Sequence, residues 1–107
     1  MSSARRLKVA EEFAQWTRRQ LGNKLVRVVL FGSVARGEEK DGSDIDLLIE
    51  VRGDPVAARR QLGGRILEIA AEEGVFVSAF VRPAPSPEAS ARSGIYRTIE
   101  KEGRVLA

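Results

Sequence analysis

The stretch Leu30-Phe31-Gly32-Ser33-Val34-Ala35-Arg36-Gly37, followed by Glu38 to Gly42 and then by Ser43-Asp44-Ile45-Asp46-Leu47-Leu48, decides how this chain folds. It opens at the end of the run Leu25 to Phe31, whose β-branched, nearly unbroken apolar character is that of a central strand covered on both faces. The strand runs straight into Gly32-Ser33. Glycine lets the backbone turn sharply and, lacking a side chain, lets an anion approach the main chain. The Ser33 hydroxyl and the N–H groups beyond it can donate to phosphate oxygens, and Arg36 adds a permanent cation. Val34 to Gly37 leaves room for one helical turn. The polar segment to Asp41-Gly42 is a turn, and Ser43 to Val51 reads as a second strand. Asp44 and Asp46 lie two apart on it, so their side chains project from one face. Carboxylates placed so close raise each other's proton affinity unless a cation sits between them. Mg²⁺ is the usual solution, held by one or two carboxylates, with water and substrate phosphates filling the other positions.

Outward from this centre, the chain alternates helices and strands. Residues 4–21 form an amphipathic helix, with Leu7, Ala10, Phe13, Ala14, Thr17 and Leu21 inward and Arg5, Arg6, Glu11, Glu12, Arg18 and Arg19 largely outward. Trp16 falls at the border of the apolar face, as a packing residue. Asp54-Pro55 is a helix start, and the helix over 55–73 carries Val56, Leu62, Ile66, Ile69 and Ala70 on its apolar line. Gly63-Gly64 in its middle implies close packing on a neighbour or a break into two helices. A third strand is expected over 75–81. Pro83, Pro85, Ser86 and Pro87 read as a stiff connector, residues 88–101 as a short helix and 104–106 as a last strand. The first two strands, joined by a short polar segment, suit an antiparallel pair, and the 55–73 helix is long enough for a crossover between parallel strands. The expected class is α+β: one domain, 1–107, with a small mixed sheet and helices packed on it.

Composition removes whole classes of chemistry. The 107 residues include neither Cys nor His. Disulfides, thiolate zinc sites, a Cys nucleophile and imidazole bases are therefore absent, and carboxylates must carry any catalysis. The net charge is +3, yet seven of the fifteen acids fall between residues 38 and 54 against only Lys40 and Arg52. An acidic stretch thus adjoins the proposed phosphate turn. The acids in Asp41 to Asp46 do not follow the EF-hand spacing, and the Walker A pattern is missing. With no apolar run of membrane length and no apolar core in the first residues to act as a signal, the expected location is the cytoplasm, away from any membrane.

Taken together, Gly32-Ser33, ten residues, then Asp44-Ile45-Asp46, with an apolar strand before, Ala35-Arg36-Gly37 after, Ser43 before the first acid and Leu47 after the second, resembles the signature of the polymerase beta-like nucleotidyltransferases. The chain is similar in size to their minimal, MNT-type members, and Ile95 to Leu106 looks like the closing helix and strand of such domains. The resemblance implies an enzyme that transfers a nucleoside monophosphate, AMP from ATP, to a hydroxyl, with Mg²⁺ or Mn²⁺ in a two-metal scheme. Asp44 and Asp46 would be the catalytic, metal-binding acids, and Gly32, Ser33, Arg36 and Ser43 the nucleotide-binding residues. The family's third metal-binding acid sits on the next strand, where this chain has Ser78. Glu50 shares the face of Asp44 and Asp46 but lies about 13 Å beyond Asp46 at ~3.3 Å per residue. The resemblance also implies a helical HEPN-type partner, as in toxin–antitoxin pairs whose antitoxin adds AMP to a partner tyrosine. Two alternatives stand beside this. The loss of the third acid suits a non-catalytic domain that binds nucleotide or partner, and the basic helix faces suit a nucleic-acid surface. A homodimer also stays open.

Overall fold

A computed structural model describes residues 1–85 and 94–107, the side chain of Ile95 excepted. The expected α+β architecture is present. Helix α1 (Ser3–Leu21) leads into strand β1 (Leu25–Phe31). The short helix α2 (Gly32–Arg36) precedes β2 (Ile45–Val51), and α3 (Pro55–Glu73) precedes β3 (Val77–Pro83). Helix α4 (Gly94–Glu102) and the two-residue strand β4 (Arg104–Val105) close the chain. The four strands form one mixed sheet in the order β3-β2-β1-β4. β1 pairs antiparallel with β2 and with β4, while β2 and β3 run parallel across the α3 crossover.

Strand alternation divides the sheet into two faces. Ile45, Leu47, Ile49 and Val51 of β2 point into the main core, where Val9, Ala10, Phe13 and Ala14 of α1 meet Ala58, Leu62, Ile66 and Ile69 of α3. On the other face Leu48 joins Val29, Phe31, Tyr96 and Ile99 in a smaller cluster under α4, with Phe80 against it. Asp46 and Glu50 alternate with the core residues of β2 and therefore share this second face.

Side-chain caps start both long helices. The Ser2 hydroxyl accepts from the Arg5 N–H at 3.1 Å, and the Asp54 carboxylate accepts from the Val56 N–H at 2.9 Å, with Pro55 at the first turn. Four expectations need correction. Arg6 is not on the outer face of α1 but buried, donating to the backbone carbonyls of Met1 and Lys40 at 2.7 and 3.0 Å. Val56 does not belong to the apolar line of α3; it is exposed, and Ala58 takes the inward place. Helix α3 is continuous through Gly63-Gly64, and a Cβ built on either glycine meets nothing within 4 Å, so neither a break nor close packing accounts for the pair. Strands β2 and β3 each start two residues later than expected, which leaves Asp44 just before β2. The expected connector residues Ser86 and Pro87, and the first part of the 88–101 helix, lie outside the described residues.

Candidate active site

The antiparallel register sets Phe31, the last residue of β1, opposite Asp46. The chain then turns at Gly32, whose φ of +77° is strained for any residue with a side chain. A Cβ there would strike Oδ2 of Asp46, with Cγ of the same residue at 3.1 Å. The backbone of the turn and the second acid are therefore in contact, and only glycine fits between them. The ten-residue spacing in the sequence is the length of chain needed for α2 and its loop to return Asp46 to this point.

That loop is held from within and from behind. The Glu38 N–H donates to the Ser33 carbonyl at 2.9 Å. The Ser43 hydroxyl accepts from the Lys40 N–H at 2.8 Å while the Ser43 N–H donates to the Lys40 carbonyl at 2.9 Å. Ser43 thus spends its hydroxyl oxygen on fixing the approach to Asp44. The buried Arg6 braces the same Lys40 carbonyl from α1. At the start of β2 the Ile45 N–H donates to the Phe76 carbonyl at 2.9 Å, so the acid pair is anchored between the loop and β3.

Asp44 is exposed and Asp46 half-buried. Burial pushes the Asp46 carboxyl above the usual carboxylate range, the neighbouring charge of Asp44 pushes it further, and Arg36 draws it back. Burial and the second acid thus outweigh the opposing charge of Arg36. The all-oxygen donor set of Asp44 and Asp46 fits a hard divalent cation. Among the described residues, no third His, Cys, Asp or Glu joins them. In the parallel register the residue beside Asp46 on β3 is Ser78, the position the sequence singled out. Glu50 is directed elsewhere: it is 2% exposed and ion-paired with its cross-strand partner Arg27.

One participant is invisible in the local sequence. The Gly32 N–H donates to Oε1 of Glu102 at 3.0 Å, and Arg36 Nη1 donates to both oxygens of the same carboxylate, at 2.9 and 3.1 Å. Arg36 Nε donates to Glu38 at 3.1 Å, and the carboxylates of Glu38 and Glu102 hold the Arg36 pKa above its ordinary value. Glu102 is the last residue of α4. Gly103 behind it lets α4 end hard against the sheet, since a Cβ there would lie 2.5 Å from the Ile99 carbonyl oxygen and 2.9 Å from Val29 Cγ1. A concavity of about 170 Å³ also lies between α1 and α2, lined by Ser3, Leu7, Val34 and Glu39 among others; neither Asp44 nor Asp46 lines it.

Half of the eight basic residues of α1 and α3 are engaged within the molecule, while Lys8, Arg18, Arg19 and Arg60 are exposed. Arg5 pairs with Glu73, Arg65 with Glu68, and Arg59 donates to the Ala79 carbonyl. This thins the basic faces on which a nucleic-acid surface would depend.

Comparison with known proteins bears on the family and the fold. Residues 10–106 match the family model described as nucleotidyltransferase domain. A Methanocaldococcus jannaschii protein named as a protein adenylyltransferase is 34% identical over 77 residues, covering 72% of this chain and 75% of that protein. A chain of a toxin–antitoxin complex with AMP-PNP shares the fold at a TM-score of 0.58 and 21% identity, over 91% of this chain and 72% of that one. A chain of the complex between the tri-AMPylated Shewanella oneidensis HEPN toxin and MNT antitoxin does so at 0.52 and 19% identity, over 94% and 71%. With the glycine turn and acid pair set together on a mixed sheet of this order, the chain belongs to the nucleotidyltransferase domain family.

Proposed function

We propose that this chain transfers AMP from ATP to a hydroxyl of a partner protein, and that the partner is a small helical protein of the HEPN type. The observation that carries the reading is the contact between the Gly32 backbone and the Asp46 carboxylate, which makes a phosphate turn and an acid pair into one site. The relative named as a protein adenylyltransferase supports the donor and the protein acceptor, and the toxin–antitoxin neighbours support the partner.

In this reading Gly32 and Ser33 present backbone and hydroxyl donors to the triphosphate, and Arg36 offers its guanidinium to the same oxygens. Ser43 holds the loop that aims Asp44. Asp44 and Asp46 would hold Mg²⁺ or Mn²⁺, which when bound neutralises charge on the phosphates and on the two acids. The protein itself mostly positions reactants, as phosphoryl-transfer sites generally do. Ser78 stands where a third carboxylate would be, so the chain has two acids with which to do this.

The test is label transfer from α-³²P-ATP with Mg²⁺ or Mn²⁺ to a candidate HEPN-type partner, with the Asp44→Ala/Asp46→Ala protein as control. We expect transfer by the wild type and a loss of at least about 100-fold in the control, beyond the 10–100-fold that even outer-shell partners of a metal site cost. Nucleotide binding by calorimetry without transfer to any partner would overturn the catalytic reading and leave a nucleotide-binding module.

A further inference from the structure

Two of the groups assigned to phosphate, the Gly32 N–H and the Arg36 guanidinium, are already bound to an anion from the chain itself. Glu102 reaches them across 70 positions of sequence, with its side chain only 18% exposed. To an N–H and a guanidinium, a carboxylate and a phosphate oxygen are the same kind of acceptor, and neither donor can serve both fully. We propose that Glu102 is a built-in stand-in for phosphate, which satisfies the turn while the site is empty and is displaced when the triphosphate binds. The inference rests on the phosphate reading of Gly32 and Arg36 given above.

Charge points the same way. Arg36 is bonded to the carboxylates of Glu38 and Glu102 and close enough to Asp46 to act on its charge, while Asp44 adds a further negative charge beside Asp46. A triphosphate arriving beside an unmoved Glu102 would add its own charge to that excess. Moving Glu102 away frees both donors and removes one of the repelling groups. The element beyond Glu102 is short. Glu102 terminates α4, and the strand beyond it is only two residues long, paired with Val29 and Leu30 of β1. The nearest ion pair of that strand, Arg104 with Glu11, is long at 3.8 Å and exposed. Nucleotide occupancy would therefore be transmitted to the end of α4 and to β4.

Two measurements decide it. The first is calorimetric titration of AMP-PNP with Mg²⁺ into the wild type and Glu102→Gln, whose amide keeps a carbonyl oxygen for the Gly32 N–H. We expect Glu102→Gln to bind about 10-fold tighter, the factor regained if nine-tenths of the free protein has its cradle self-occupied. The second is hydrogen exchange on the wild type, which needs no variant to fold. Saturating AMP-PNP should speed exchange of the Gly103 and Leu106 amides, which donate to the Ile99 and Val28 carbonyls. Equal or weaker binding by Glu102→Gln, or slower exchange at those amides, would make Glu102 a fixed support and overturn the inference while leaving the nucleotide site intact. Failure of both proteins to bind AMP-PNP would instead overturn the phosphate reading, and this inference with it.

Discussion

Gly32 is where backbone conformation and chemistry meet. Its φ of +77° and its contact with Asp46 combine two demands that only a hydrogen side chain satisfies. Gly32→Ala should cost about 1–3 kcal/mol in strain alone, a fall of at least about 4 °C in thermal midpoint. Pairing it with Asp46→Ala, which removes the struck carboxylate, should recover part of that loss, so a double-mutant cycle should show coupling. Asp46 also sets a pH dependence. Its carboxyl is held above the ordinary value by burial and by Asp44. In the window just above the normal carboxylate range, the folded state therefore binds more protons than the unfolded one, and stability falls as pH rises. The difference in thermal midpoint between the wild type and Asp46→Asn should thus shift against the wild type as pH climbs from 4 towards 7. A flat difference across that range would show that neither burial nor Asp44 raises the Asp46 carboxyl.

At the scale of elements, α3 is the place where sequence and structure part. Two adjacent glycines in a helix signal crowding or a break, because each costs about 1 kcal/mol against Ala. The helix nevertheless runs unbroken over 19 residues, and both sites face open space. Its ends and its buried line explain why it survives: Asp54 and Pro55 start it, and Leu62, Ile66 and Ile69 bury its inner face. Gly63→Ala and Gly64→Ala should each stabilise the protein by about 1 kcal/mol, raising the thermal midpoint by roughly 4–8 °C. A loss of stability at either position would mean that something packs there. The 70-residue reach of Glu102 shows the opposite limit of sequence reading: no periodicity or spacing links the last residue of α4 to the turn after β1.

Across the whole molecule, the second face of the sheet ties the site to the closing helix. Glu50, buried on that face, pairs with Arg27, and Tyr96 of α4 brings its phenol against the same carboxylate; burial and then the Glu50 charge push the Tyr96 pKa up. This charged knot lies beside the Val29, Phe31, Leu48 and Ile99 cluster, so α4 is fastened by both apolar and polar contacts at the end opposite Glu102. Arg27→Met leaves a buried carboxylate without its cation and should destabilise the protein by about 2–3 kcal/mol, measured by urea denaturation at neutral pH. The apolar isostere keeps the packing of the stem, so the loss reports the charge.

What the sequence determined by itself was whatever depends on short range. The strand run from Leu25, the turn at Gly32-Ser33, the close spacing of Asp44 and Asp46, the cap at Asp54 and the mixed α+β order all follow from local periodicity and residue chemistry. The absence of Cys and His left carboxylates as the only chemistry, and Ser78 stood out through the family resemblance, as the residue aligned with that family's third acid; the parallel register sets it beside Asp46. Only the tertiary structure decided that Arg6 is an internal brace, that Glu50 is buried as the counter-ion of Arg27, and that Glu102 closes on the turn. Each of these depends on which distant groups satisfy a charge once it leaves water. Folding settles that by geometry across the whole chain, and no stretch of residues carries it alone.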